Sequence, residues 1–167
     1  MAKLKVDIRE SIELNNNKYD SFNSYEVQDV NEIDKRITTI PVHEQEIAYI
    51  SGSIGRGAFI TTDVRYMRFT NIGNSEGDSQ AHINLTFRNT NDAEFAIKIP
   101  NGGSFMYQGI SGSGVAGTLA ASGSALSGSQ LFYGSGSTTD DVFGSLSTIT
   151  AKSSGSACDI EYFIASN

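Results

Sequence analysis

Two histidines, His43 and His82, and a single cysteine, Cys158, are the side chains of this 167-residue chain best suited to act as bases, thiol nucleophiles or soft metal ligands. Nucleophilic hydrolysis needs a Ser or Cys activated by a neighbouring base. Serine is abundant, yet no G-x-S-x-G occurs anywhere. His82 falls on the polar side of an alternating run and His43 follows a Pro-bounded turn, so both read as surface residues. Cys158 sits where a small apolar side chain would pack, and alone it forms no intramolecular disulfide. Two His and one Cys, widely scattered, give no zinc spacing.

Other chemistries fare no better. Asn74-Ser75-Glu76-Gly77-Asp78 gathers oxygen ligands around a glycine, without the spacing or distal Glu of a calcium loop. Asp140-Asp141 lies in a Gly/Ser setting and is similarly incomplete. The glycine-rich loop Ser51–Gly57 carries Arg56 but lacks the G-K-[ST] ending of a phosphate cradle. No pair of carboxylates is singled out for glycoside hydrolysis. Tyr66, Tyr107 and Tyr133 could stack on sugars, although the chain has no Trp. Arg65-Tyr66-Met67-Arg68-Phe69 interleaves bases with aromatics, but in a strand Arg65 and Arg68 face opposite ways, so packing and ion pairing explain it better. Asn84-Leu85-Thr86 matches a glycosylation sequon, which needs a secretory context that nothing else suggests. The expectation is a non-enzyme with no cofactor and no metal.

The elements behind these residues are strands. Ala81, Ile83, Leu85 and Phe87 alternate with His82, Asn84, Thr86 and Arg88, the pattern of a sheet with one buried and one wet face. Leu4, Val6, Ile8, Ile12 and Leu14 all fall on even positions in a first strand over 3–14, and its outer face is charged. Asn15-Asn16-Asn17 predicts a turn, and Tyr25 and Val27 a short return strand. Residues 29–34 could hold one helical turn. Extended runs follow at 36–40, 46–51 and 64–70, and residues 81–99 predict a hairpin stopped by Pro100. Strands at 104–107, 146–151 and 158–164 complete about nine to eleven. The class is all-β: a single antiparallel β-sandwich over 1–167, plausibly jelly-roll-like.

Within it, residues 108–140 form a long Gly/Ser-rich loop. Residues 111–137 alone hold seven Gly and eight Ser. Val115, Leu119, Leu126, Phe132 and Tyr133 punctuate the tract, so it reads as an ordered loop rather than a linker, with one helical turn conceivable at 118–121. Charge is uneven: net −7, with only Asp140, Asp141, Lys152, Asp159 and Glu161 beyond residue 100. An acidic chain is a poor general ligand for nucleic acid. No apolar run is long enough for a membrane helix, and no signal peptide is visible, so folding in a reducing cytoplasm is expected.

Four segments carry a resemblance: Val30 to Pro41, Arg65 to Asn71, Ile99 to Phe105, and Asp159 to Ser166. Together with the all-β pattern, they resemble small β-sandwich virion proteins of tailed bacteriophages. The resemblance implies a capsid decoration (cement) protein of the virion, often a homotrimer, that binds the major capsid protein and reinforces the head shell. A tail adaptor or fibre subunit is the alternative within that class, and a carbohydrate-binding β-sandwich module the alternative outside it. Multivalent burial of modest interfaces would hold such a protein in place. The expected partner-interface residues are Leu4, Val6 and Ile8 in the first strand, with Val115, Leu119, Leu126, Phe132 and Tyr133 in the tract.

Overall fold

The structure is a computed structural model and describes residues 2–51, 58–60, 64–73, 81–89, 92, 94–108 and 146–167. Eleven strands lie among these residues and no helix. β1 (Ala2–Leu14) and β2 (Asn17–Val30) form a two-stranded arm. The others are β3 (Glu32–Ile40), β4 (Gln45–Ser51), β5 (Ala58–Ile60), β6 (Val64–Gly73), β7 (Ile83–Asn89), β8 (Glu94–Ile99), β9 (Ser104–Gln108), β10 (Leu146–Ser153) and β11 (Cys158–Ser166).

Apart from the arm, the strands make two sheets, ordered β5-β4-β10-β7-β8 and β3-β11-β6-β9. The pairs β3·β11, β4·β10, β6·β9 and β7·β8 are all antiparallel. They are what a long hairpin would make if folded along its length. Rolling that ribbon up brings β11 beside β6 and β10 beside β7, again antiparallel. This is the strand order of a jelly roll. β5 departs from it, adding to the outside of β4 in parallel over three residues.

The alternation explains why the two sheets close on each other. Ile83, Leu85 and Phe87 from one sheet and Met67, Phe69, Ile160, Tyr162 and Ile164 from the other belong to one buried cluster. Its aromatic rings join the layers: Phe87 stacks on Phe95 at 4.9 Å and meets Phe69 and Phe105 edge-on at 6.3 and 5.4 Å. Such pairs add about 0.5–1.5 kcal/mol each beyond burial. Cys158 lies in the same cluster, fully buried, with the Ser153 hydroxyl donating to its Sγ at 3.1 Å.

One polar residue locks the end of the sandwich opposite the arm. Asn71 is fully buried; its Nδ2 donates to the Ile99 carbonyl at 3.1 Å and its Oδ1 accepts from Gly73 N–H at 2.9 Å. Its own backbone pairs with Gly102 and Gly103. Gly73 sits at φ +88°, where a side chain would be strained and its Cβ would push the Asn101 side chain aside from 2.8 Å.

The stretch 29–34 is not helical. Residues from Glu32 belong to β3, whose apolar side chains are Ile33, Ile37 and the buried Ile40. Ile33 and Ile37 share the outer face of this edge strand, and the polar stretch that suggested a helical turn runs into its first residues. The return strand is also far longer than Tyr25 and Val27 suggested, running from Asn17 to Val30. The Gly/Ser tract from 109 onward, with Val115, Leu119, Leu126, Phe132, Tyr133, the helical turn at 118–121 and Asp140-Asp141, lies outside the described residues, as do Asn74–Asp78 and 52–57.

Candidate interaction surface

The arm is built by its turn and its alternation. Asn15 and Asn16 both take positive φ, 52° and 63°, giving the two-residue loop whose twist matches a hairpin. The register then sets Leu4 opposite Val27, Val6 opposite Tyr25, Ile8 opposite Asn23 and Ile12 opposite Tyr19. Directly opposed residues share a face, so most apolar residues of the arm lie on one side, with Asn23 and the Glu10–Ser21 pair among them. The other side pairs Lys3 with Glu26 at 3.2 Å, Lys5 with Asp7 at 3.3 Å and Lys18 with Asp20 at 3.1 Å. Ser24 donates to Asp7 at 2.6 Å, which holds that carboxyl below the usual carboxylate range. The Lys3 ammonium does the same for Glu26.

Only the base of the apolar side is covered. Asp29, at φ +57°, is the extra residue of a bulge that lets Val27 and Val30 turn to the same side. Both are buried with Tyr66 of β6 and Ala165 of β11, and Leu4, Val6, Tyr25 and Phe163 pack around them. Tyr66 and Phe163 meet edge-on at 6.0 Å. Burial pushes the Tyr66 phenol up, and nearby Tyr25, itself raised by burial, adds to the shift. The Asn31 N–H donates to the Ser166 carbonyl, and Asn31 Nδ2 donates to Asn167 Oδ1 at 2.7 Å, pinning the joint.

Beyond the base the cover stops. Ile8 is half-buried, and Ile12, Leu14 and Tyr19 keep 56–59 % of their surface exposed; Phe22, opposite Arg9, is exposed on the charged side. Leu4 and Val6, expected to meet a partner, are engaged with the chain's own sandwich. Ile12 and Leu14 belong to the first alternation, but nothing in the sequence told which end of it would stay open.

The chemistry-bearing residues do not converge. His82 Nδ1 lies 2.7 Å from Ser154 Oγ, and the two residues also exchange backbone contacts, so the pair ties the start of β7 to the turn after β10. No carboxylate orients that ring among the described residues. His43 is exposed beyond β3. No group of three or more His, Cys, Asp or Glu could hold a metal among the described residues. Tyr66 is buried at the arm joint and Tyr107 packs against the core, so neither offers a flat platform for a sugar ring. Arg68 instead forms an ion pair with Glu161, which also meets Lys35 at 3.5 Å.

No family model, curated protein or solved structure matches the chain. The site must be read from its own geometry, and the uncovered arm is its most distinctive part.

Proposed function

We propose that the chain is a non-enzymatic structural subunit of a bacteriophage virion, acting as a decoration protein that binds the major capsid protein and stabilises the head shell. The arm carries the reading. A lone two-stranded sheet is barely stable in water, and one with a bare apolar side is less so unless something covers it. Evenly spaced apolar residues on an arm rooted in a rigid jelly roll suit assembly better than catalysis. Jelly rolls build shells and lectins alike, so the arm and not the fold supports this reading.

Attachment would be multivalent, with several modest contacts adding to firm binding. The test is co-sedimentation of the purified protein with expanded, empty phage heads, followed by the heat resistance of those heads. Saturable binding with a raised disruption temperature is expected. Glycan binding by a protein with no affinity for heads would overturn the proposal in favour of a carbohydrate-binding module. Binding to tails alone would make it a tail component.

A further inference from the structure

We infer that the outer half of the β1–β2 arm docks on the outer face of the four-stranded sheet of a second copy of this chain, along strand β3. The inference concerns the arm's first partner and does not depend on what the assembled unit binds.

Three observations lead to it. First, the side of the arm that packs at the buried joint continues outward, interrupted only where Asn23 faces Ile8 and Glu10 faces Ser21. Leu4, Val6, Tyr25 and Val27 pack on Tyr66, Phe163 and Ala165, while Ile12, Leu14 and Tyr19 continue the same side into solvent. Leu14 lies ten residues from Leu4, about 33 Å along a strand. The chain's own sheet does not cover it.

Second, the same sheet face carries a matching bare strip. Ile33 is registered against Ala165 and Ile37 against Glu161, beside the place where the chain's own arm is rooted. Both point outward, 56 % and 62 % exposed. The inner side of β3 holds Asp34 and Arg36, joined at 2.8 Å. The inner side ends in Ile40, fully buried in the core, so the outer side of this edge strand adds two isoleucines that the chain itself leaves open, which makes sense if that side is covered in an assembly.

Third, the two strips complement each other residue by residue. The arm presents Ile8, Glu10 and Ile12; strand β3 presents Ile33, Lys35 and Ile37. Both have the spacing isoleucine, charge, isoleucine over about 13 Å of strand, and the charges are opposite. Lys35 meets Glu161 at 3.5 Å with more than half of its side chain exposed, so it can also face Glu10 of another copy. Sheet-on-sheet packing buries such strips at about 10 Å separation. An arm of one copy on the sheet of the next is a heterologous contact, closing as a ring when the rotation permits.

Sedimentation velocity at micromolar concentration tests this. The full chain should sediment as an oligomer, and Ile12→Asp and Ile37→Asp should each shift it to monomer with an unchanged far-UV spectrum. Glu10→Lys should weaken association about tenfold, and Lys35→Glu in the same chain should restore most of the loss. Oxidative cross-linking guards against misfolded variants: one batch carries only Ile12→Cys, the other only Ile37→Cys, and mixing them should give a mixed disulfide dimer. A monomeric wild type, or an oligomer unaffected at both strips, would overturn the inference. An oligomer that ignores phage heads would sink only the decoration reading, and a monomer that binds them would sink only this one.

Discussion

The arm and the sandwich use the same alternation and come out differently. In the sandwich, Phe69, Phe87, Ile149 and Ile160 each face a partner sheet and are shielded from water. In the arm, Ile12, Leu14 and Tyr19 obey the same period, but no second layer covers them. Period-two patterning creates an apolar face; only topology decides whether the chain covers it. Where it does not, the face stays open to solvent, and residues that look like core in the sequence end up on the surface.

The sharpest way to break this comparison is to truncate one aromatic in each region. Phe69→Ala should cost about 3–5 kcal/mol, because the ring is fully enclosed and contacts Phe87 and Tyr162. Tyr19→Ala, at a ring more than half exposed, should change the stability of a dissociated monomer by under about 0.5 kcal/mol. Chemical denaturation of both variants at low concentration checks the contrast. Equal losses would mean that the arm is part of the core after all.

Asn71→Ala comes next, with an expected loss of about 2–3 kcal/mol, since the Ile99 carbonyl and Gly73 N–H would lose a buried partner. The same denaturation curve should shift in midpoint and keep its slope. Unlike the aromatic pair, this substitution tests whether the end of the sandwich far from the arm shares its cooperative unit.

Much of this division could be read in advance, and what could not has definite causes. The alternations at 81–88 and 158–164 survive because each strand buries one side completely, so β7 and β11 are almost as expected. β2 is blurred by Tyr19 and Phe22, which lie on opposite sides of the arm and cancel the period, and by exposed Asn and Ser on both sides. β3 is misleading because Ile33 and Ile37 face out while Ile40 alone reaches the core, with Asp34 and Arg36 sharing its side. β5 spans three residues, too few to show any period. The joint at Val27 and Val30 depends on a bulge at Asp29, and a one-residue bulge shifts every side assignment after it. Most important, pairing across the sheets is set by contacts far apart in the chain, and a single sequence does not display them.

The arm should come loose before the sandwich melts. Val27→Asp places a carboxylate in the joint, and hydrogen exchange of the β1 and β2 amides should quicken at least about tenfold while that of β7, β10 and β11 stays unchanged. Alkali should act on the same joint. Tyr66 and Tyr25 both have raised phenol pKa values from burial, so their neutral forms stabilise docking fully below about pH 10, and that stability is lost as pH rises through their folded values. Absorbance at the phenolate band, followed with arm exchange rates, should show the two changes together. Phenolate formation with an arm still protected would place the joint elsewhere.

Acid should give the smallest effect, and it falls on the other side of the arm. Asp7 and Glu26 are held below the ordinary carboxylate range by Ser24 and by Lys3, so they contribute above that range and lose their contribution as pH falls through it. Both are exposed, and salt screens such pairs, so the change is a loosening of β1 against β2 rather than unfolding. Arm amides should therefore exchange slightly more easily below about pH 4, after correction for intrinsic rates, and added salt should mute the effect at higher pH. Ser24→Ala should return the Asp7 titration toward its ordinary value without moving that of Glu26. If instead acid released the arm outright, its charged side would be holding it in place, and the apolar joint would be the lesser contact.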